Sequence, residues 1–140
     1  MSATLHARRA TPDDAPMIAQ IYNQGIADRV ATFETSPRAI ADVRAWFDGA
    51  HPIVVVEDDQ AIVAFASTST YRPRACYAGV AEFSVYVARS QRGHGVGRLA
   101  METLISASEQ AGLWKLISRV FVENAASRSL LQSLGFREVG

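Results

Sequence analysis

The feature that most constrains the fold is a strand, a glycine-rich loop and a helix that follow one another within residues 80–112. Val80–Val87 alternates in its second half, which is typical of a strand. Arg92–Arg98 supplies three glycines, and a helix is then expected from about Gly97 to Ala111, ended by Gly112. The two strand faces predicted are an apolar one, Ala81, Phe83, Val85 and Val87, and a polar one, Glu82, Ser84 and Tyr86.

Helical and strand periodicities alternate along the rest of the chain. Thr11 and Pro12 start a first helix, and Ser36 and Pro37 start a second one, which Gly49 ends. The strands expected are Thr4–Arg9, a hairpin of Ile53–Val56 with Ala61–Ser69, Leu116–Val122 and Phe136–Val139, with a last helix at Glu123–Leu134 before Gly135. The order βααβββαβαβ predicts an α/β fold with a mixed sheet, in one domain covering residues 1–140.

Composition excludes several classes of protein. Fourteen basic residues balance fourteen acidic ones, so no global field favours nucleic acid or an anionic membrane. Cys76 is the only cysteine, and the three histidines lie far apart in the sequence, which argues against a disulfide scaffold and a structural zinc site. The longest apolar run, Ala61–Ala66, is far shorter than the roughly 20 residues that span a bilayer. The N-terminus lacks the apolar core of a signal peptide, so we expect a soluble cytoplasmic domain.

The zero net charge conceals an asymmetry. Residues 1–70 carry a charge of −4, residues 71–98 carry +4, and residues 99–140 are neutral. The basic segment contains five arginines and a single acid, Glu82, and it also carries the glycine loop. This pattern is typical of an anionic ligand site, although scattered surface arginines explain the charge alone equally well.

The glycine loop predicts binding of a diphosphate. Glycines let phosphate oxygens approach the backbone N–H groups, and the following helix N-terminus adds free donors and partial positive charge. Arg92 and Arg98 flank the loop and are suited to pair with phosphate oxygens. The dinucleotide pattern G-x-G-x-x-G fails because position 98 is arginine, and no Gly-Lys-Ser/Thr of a P-loop follows. A glycine turn that serves only chain geometry is the alternative.

Arg92-x-x-Gly95-x-Gly97 after a strand ending in Ser84–Val87 resembles the acetyl-CoA-binding motif of the GNAT superfamily of N-acyltransferases. Within it, the chain is most similar to the phosphinothricin, arsinothricin and methionine sulfoximine or sulfone acetyltransferases. The stretches that carry this resemblance span nearly the whole chain: Ile21–Asn23, Ala31–Thr35, Tyr71–Arg74, Ala81–Val87, Gly112–Lys115 and Glu123–Ser127. The resemblance implies a mostly antiparallel mixed sheet with about four helices, and acetyl-CoA as co-substrate without a metal.

Acyl transfer to an amine needs a base that removes a proton from the amine. Glu82 is the only acid between Asp59 and Glu102, and the resemblance places the proposed general base at its position. A solvated strand glutamate is the alternative. Many GNAT enzymes carry a tyrosine seven residues after the asparagine that matches Asn124, as the general acid that protonates the departing thiolate. This chain has Leu131 at that position, which leaves Ser127 or a water to protonate the thiolate.

The resemblance also implies where the coenzyme binds. The backbone of Val85, Tyr86 and Val87 is expected to pair with the pantetheine amides like an added strand. Asn124 is expected to contact the coenzyme, although capping of the next helix explains it equally well. The full set of cofactor-binding residues predicted is Val85, Tyr86, Val87, Arg92, Gly93, His94, Gly95, Val96, Gly97, Arg98, Asn124 and Ser127.

The predicted substrate site includes the arginine-rich loop Tyr71–Arg74. The guanidinium groups of Arg72 and Arg74 are suited to bind a carboxylate or a phosphinate, arsinate or sulfone oxygen, although an ordinary surface loop is the alternative. Phe33, with Glu34, is expected to close the pocket, and Cys76 has no base partner for covalent catalysis. The substrate-binding residues predicted are Phe33, Tyr71, Arg72, Pro73, Arg74, Glu82, Phe83 and Ser84.

The sequence predicts acetyl-CoA-dependent N-acetylation of a small anionic amino-acid analogue. Acetylation of a protein or peptide amine, and acetyl-CoA binding without catalysis, are the alternatives. The resemblance implies a full sixth strand and a seventh after Gly135 and Phe136, whereas this sequence stops at Gly140. We expect that the chain is incomplete, or that the missing strand is supplied by a partner subunit or not at all. The resemblance implies a homodimer.

Overall fold

Five strands form one sheet in the computed structural model, which describes residues 4–28, 38–59, 61–70, 79–91, 95–117 and 125–136. The strands follow chain order across the sheet, and all neighbours are antiparallel except the last pair, which is parallel. The predicted mixed, mostly antiparallel sheet is therefore confirmed. The strands are β1 (His6–Arg9), β2 (Ile53–Glu57), β3 (Ile62–Thr70), β4 (Val80–Val87) and β5 (Lys115–Ile117).

Four helices cover the two faces of this sheet, as predicted. One apolar cluster joins α1 and α2 to one face through Phe65 and Tyr86, and the other joins α3 and α4 to the opposite face through Phe83. The bounds are α1 (Ala15–Asp28), α2 (Ile40–Arg44), α3 (Val96–Gln110) and α4 (Ala125–Ser133), with short 3₁₀ turns at Pro12–Asp14 and Arg89–Gln91. None of the helices in the described part of the chain is long and apolar enough to cross a bilayer.

The entry into α1 is fixed by an ion network that joins three elements. The Arg8 guanidinium on β1 donates to both carboxylate oxygens of Asp14, at 2.9 and 3.0 Å, and to Glu57 on β2 at 3.0 Å. Asp14 also accepts the Thr11 backbone N–H at 2.8 Å. The hydrogen bond from Arg8 is the largest cause that lowers the pKa of Asp14 below its usual value. The predicted helix start at Thr11 and Pro12 is confirmed.

The structure changes two expectations about individual side chains and leaves two predicted strands partly outside the described residues. Tyr86, predicted on a polar face, is only 3% exposed, because α1 packs against that face at the Tyr86 ring. The helical spacing of Ile40, Val43 and Phe47 predicts one buried face for α2, but Ile40 is 44% exposed, whereas Val43 is fully buried. The described part of β5 is Lys115–Ile117, so the remainder of the predicted strand to Val122, and the strand at Phe136–Val139 beyond Phe136, lie outside the described residues.

Candidate acyltransferase site

Glu82 is the third residue of β4, and it is paired with a residue of the neighbouring strand on either side. Its Cα partners are Ser69 on β3 and Ile117 on β5. Because alternate residues of a strand share a face, Glu82 and Ser84 lie on the same face as Tyr86, which is the face covered by α1. Glu82 and Ser84 are both half-buried. The carboxylate is therefore held by the sheet and remains accessible from the α1 side.

An aromatic cluster closes this face at the far end of β4. The Tyr86 ring lies 5.1 Å from the Phe65 ring and 5.0 Å from the Tyr22 ring, between centroids. Trp46 packs edge-on against Tyr22 at 5.7 Å. The face therefore changes from a fully buried apolar end at Tyr86 to a half-buried polar end at Glu82. Such an apolar wall with a carboxylate at its open end is typical of a small-molecule site.

The first turn of α3 lies beside the opposite end of β4 from Glu82. Gly95 caps this helix with a φ of +77°, a left-handed conformation that favours glycine. Among the described residues, and apart from its chain neighbours, no atom lies within 4 Å of a Cβ placed at Gly95. A Cβ at Gly97 would meet the Val87 and Leu130 side chains at 3.4 Å each, an ordinary van der Waals distance, so α3 packs against β4 and α4 at this point. The open space at Gly95, the free N–H groups of the first turn and the absence of acids in that turn suit an anionic group.

The spacing between the two ends of β4 fits an extended coenzyme arm. Val87 contacts the start of α3, and Glu82 lies five residues earlier, at a rise of about 3.3 Å per residue. The helix N-terminus and the carboxylate are thus separated by roughly 17 Å along one strand. A phosphopantetheine arm has a length of this order between its phosphate and its sulfur. Within the described residues, β5 pairs with β4 only at Val80, Ala81 and Glu82. The coenzyme arm is expected to pair with the same edge of β4 further along, at Val85 to Val87.

The side chain of Arg98 is directed to α4. Its Nη1 donates to Ser133 Oγ at 2.8 Å, and its Nε lies 3.9 Å from Glu102 Oε1. Ser133 in turn donates to the Leu130 carbonyl at 2.7 Å. Arg98 therefore tethers α3 to α4, and its backbone N–H in the first turn of α3 is the group that remains suited to a phosphate.

Two residues singled out from the sequence lie in the core on the opposite face of the sheet. Phe83 is 4% exposed and its ring lies 5.0 Å from that of Phe136, so the structure does not bring it together with Glu82 and Ser84. Leu131, at the position where the resemblance implies an acid, is 8% exposed and belongs to the same cluster. Leu131 thus contributes packing between α4 and the sheet.

Asn23 and Gly25 on α1 are features that the sequence analysis did not assign to the site. The Asn23 amide donates to the Arg38 carbonyl at 3.0 Å and accepts the Arg38 N–H at 2.8 Å, which fixes the chain just before α2. The Arg38 guanidinium lies 5.8 Å from the centroid of the Tyr22 ring. A glycine inside an otherwise helical pattern is the signal that indicates close packing at position 25.

Nine of the predicted site residues lie outside the described residues, and their roles stay predictions. Ser127 lies within α4 by its backbone. Among the described residues, no group of three or more His, Cys, Asp and Glu side chains lies close enough together to hold a metal ion. The predicted residues outside the described ranges are Phe33, Tyr71, Arg72, Pro73, Arg74, Arg92, Gly93, His94 and Asn124.

Comparisons with known proteins identify the family of the chain. Residues 18–136 match the model of the Acetyltransferase (GNAT) family. The chain is 34% identical to the L-methionine sulfoximine/L-methionine sulfone acetyltransferase of Pseudomonas aeruginosa, over all of this chain and 83% of that protein.

Two solved structures match nearly the whole fold. A GNAT superfamily phosphinothricin acetyltransferase from Sinorhizobium meliloti, in complex with AcCoA, superposes with a TM-score of 0.88 at 30% identity, covering 100% of this chain and 77% of that one. A ribosomal-protein-alanine N-acetyltransferase from Brucella melitensis superposes with a TM-score of 0.89 at 31% identity, covering 96% of this chain and 86% of that one.

Proposed function

The chain belongs to the GNAT family of acetyltransferases, and from that premise we propose that it transfers an acetyl group from acetyl-CoA to the α-amine of a small anionic amino-acid analogue. The observation that carries this proposal is that Glu82 lies near one end of β4 and the N-terminus of α3 lies beside the other end. The candidate substrates are phosphinothricin, arsinothricin and methionine sulfoximine or sulfone. The relative from Pseudomonas aeruginosa supports this class by its name.

We place the coenzyme along β4. The first-turn N–H groups of α3 bind the pyrophosphate, with Arg92 to His94 of the preceding loop and Asn124 as further contacts. The backbone of Val85 to Val87 hydrogen-bonds the pantetheine amides in the manner of an added strand. This arrangement brings the thioester to the neighbourhood of Glu82, because the arm and the strand segment have similar lengths.

In the proposed reaction Glu82 accepts a proton from the substrate ammonium, directly or through a water. The free amine then attacks the thioester carbonyl, a C–N bond forms, and the tetrahedral intermediate collapses with cleavage of the C–S bond. The second proton of the amine is released as the amide forms, and the thiolate leaves and takes a proton from solvent or Ser127. Because a thiolate is a good leaving group, Leu131 in place of an acid is compatible with this scheme.

We assign recognition of the acceptor to the face of β4 that carries Glu82 and Ser84. Tyr71, Arg72 and Arg74 supply the positive charge for its carboxylate, and Phe33 closes the site. Acetylation removes the charge of the amine, so the reaction provides resistance to an inhibitory analogue. We further propose that the protein acts in the cytoplasm, as a homodimer, and without a metal ion.

Acetylation of a peptide N-terminus is the second candidate, favoured by the similarity to the ribosomal-protein-alanine N-acetyltransferase. A site for a peptide needs an open groove, whereas the α1-side face of β4 narrows to a buried aromatic end at Tyr86. The two candidates differ in what saturates the enzyme, a free amino acid or a peptide. Coenzyme binding without catalysis is the third possibility, and turnover excludes it.

The test is release of free thiol from acetyl-CoA in the presence of phosphinothricin, arsinothricin, methionine sulfone and an alanine-terminated peptide. We expect saturable turnover with at least one of the amino-acid analogues and little with the peptide. Turnover with the peptide alone contradicts the proposed substrate class. Calorimetric binding of acetyl-CoA without turnover of any amine contradicts the proposed enzyme.

A further inference from the structure

Three serine hydroxyls line the face of the sheet on which Glu82 lies. Phe65, Ser67 and Ser69 alternate along β3, so the two serines share the face of Phe65, under α1. The register pairs Phe65 with Tyr86, Ser67 with Ser84, and Ser69 with Glu82. Side chains directly opposite each other in such pairs have Cβ atoms about 5 Å apart. Ser67 and Ser84 therefore lie between the aromatic end and the carboxylate.

These three hydroxyls do not contribute side-chain hydrogen bonds to the described part of the fold. Within the described residues, none of the side chains of Ser67, Ser69 and Ser84 makes a hydrogen bond. Thr68, by contrast, points to the opposite face of β3 and donates to the Pro52 carbonyl at 2.8 Å. Ser67 and Ser84 are half-buried, which leaves their donors accessible and partly shielded from water.

The distance between the two polar pairs matches the proposed substrates. One ladder step of two residues separates Glu82 from Ser84, which is roughly 6.8 Å. In methionine sulfone and phosphinothricin, the α-amine and the tetrahedral oxygens are separated by a chain of four heavy atoms, which extends over a similar distance. An amine held at Glu82 thus places those oxygens beside Ser67 and Ser84, and the aromatic end at Tyr86 limits the length of the substrate.

We infer that Ser67, together with Ser84 opposite it, binds the tetrahedral oxo group of the acceptor. The inference rests on the proposed function, and it names Ser67 as a residue that selects oxidised side chains over unoxidised ones. Hydroxyl donors satisfy sulfone, sulfoximine or phosphinate oxygens. A plain thioether offers only a weak acceptor in the same place and leaves these donors unpaired.

The test measures binding of L-methionine sulfone and of L-methionine to the protein saturated with CoA, by calorimetry. The wild type is expected to bind the sulfone more tightly. Ser67→Ala is expected to reduce the ratio of the two dissociation constants about three- to tenfold, the loss of one hydrogen bond. Ser67→Thr retains a hydroxyl and should retain the preference. Ser106→Ala removes an exposed hydroxyl from α3 and is the control.

An unchanged ratio in Ser67→Ala, with an unchanged melting temperature, overturns the inference while leaving the proposed function intact. A wild type that binds both compounds equally, or neither, overturns it as well. Failure of the proposed function has a different signature, because it is read from thiol release rather than from binding. A Ser67-dependent preference for the sulfone without turnover keeps the assigned oxo site and refutes the enzyme.

Discussion

Gly25 on α1 lies directly against the ring of Tyr86 on β4. A Cβ built at Gly25 lies 2.7 Å from Tyr86 Cδ1 and 2.8 Å from Cε1, closer than side chains pack in proteins. The contact allows α1 to approach the sheet at the aromatic end of the Glu82 face. A glycine in the middle of a 14-residue helix is therefore explained by packing, against its own cost of about 1 kcal/mol in helix propensity.

Gly25→Ala is expected to destabilise the protein by about 1–3 kcal/mol, since the ring of Tyr86 has to shift. The measurement is the free energy of unfolding in urea. In a Tyr86→Val background the same substitution should become neutral or stabilising, because only the gain in helix propensity remains. Equal losses in the two backgrounds would show that the ring contact is not the cause.

Asp14→Asn is expected to lower stability by about 1–2 kcal/mol at pH 7, since a charge-assisted bond to Arg8 is weakened near the surface. Because the pKa of Asp14 is lowered in the folded state, its stabilisation is present above the unfolded value near 3.9. It is lost as the pH falls through the folded pKa. Urea midpoints of the two proteins should therefore converge below about pH 4.

The exposed neighbour Asp13 supplies the control for this effect. Asp13→Asn removes a charge from the same turn without touching Arg8, so its loss should be the smaller one at pH 7. If the difference between wild type and Asp14→Asn stays constant from pH 7 to pH 3, the ion pair is not its source.

Gly95→Ala is expected to raise the KM for acetyl-CoA at least threefold, because the left-handed φ of +77° disfavours any residue with a Cβ. Gly112→Ala is a matched control, since Gly112 has a φ of +86° and equally open surroundings at the other end of α3. Both variants should lose about 1 kcal/mol of stability. Only the first should change the KM for acetyl-CoA, and a rise in both would indicate a general loss of structure.

Glu82→Gln is expected to lower kcat/KM for the amine by roughly 100-fold near neutral pH. The loss should shrink at alkaline pH, where more of the substrate amine is already unprotonated and needs no base. The measurement is the pH profile of thiol release, with Glu109→Gln, an exposed acid at the far end of α3, as the control. A parallel profile for Glu82→Gln and wild type would contradict the assignment of Glu82 as the base.

Local patterns in the chain were sufficient for much of the site. The capping residues at Thr11 and Pro12, the alternation in β4 and the glycines before α3 depend on neighbours within a few residues, so the sequence predicts them directly. For the same reason Glu82 is identifiable as an accessible carboxylate on a strand that leads to a glycine-capped helix N-terminus. The resemblance to GNAT enzymes rests on these same segments.

Contacts between distant segments decided the rest. Tyr86 belongs to a face that reads as polar, and its burial follows only once α1 is packed there with Gly25 against the ring. Arg98 is predicted from the sequence to bind phosphate, and the structure shows that its side chain also reaches Ser133 on α4, 35 residues later. Each of these outcomes depends on a residue that is far away in the sequence and close only in the folded structure.

The sequence by itself determined the α/β fold, the glycine-capped helix and a single carboxylate on the strand that leads to it, because periodicity and backbone preference act locally. Only the tertiary structure decided which side chains of the neighbouring strand β3 lie opposite that carboxylate and Ser84. Antiparallel register sets this choice, since it pairs Ser67 with Ser84 and Ser69 with Glu82 across β3 and β4. A shift of one residue would turn the serines to the opposite face, and nothing in either strand alone fixes that register.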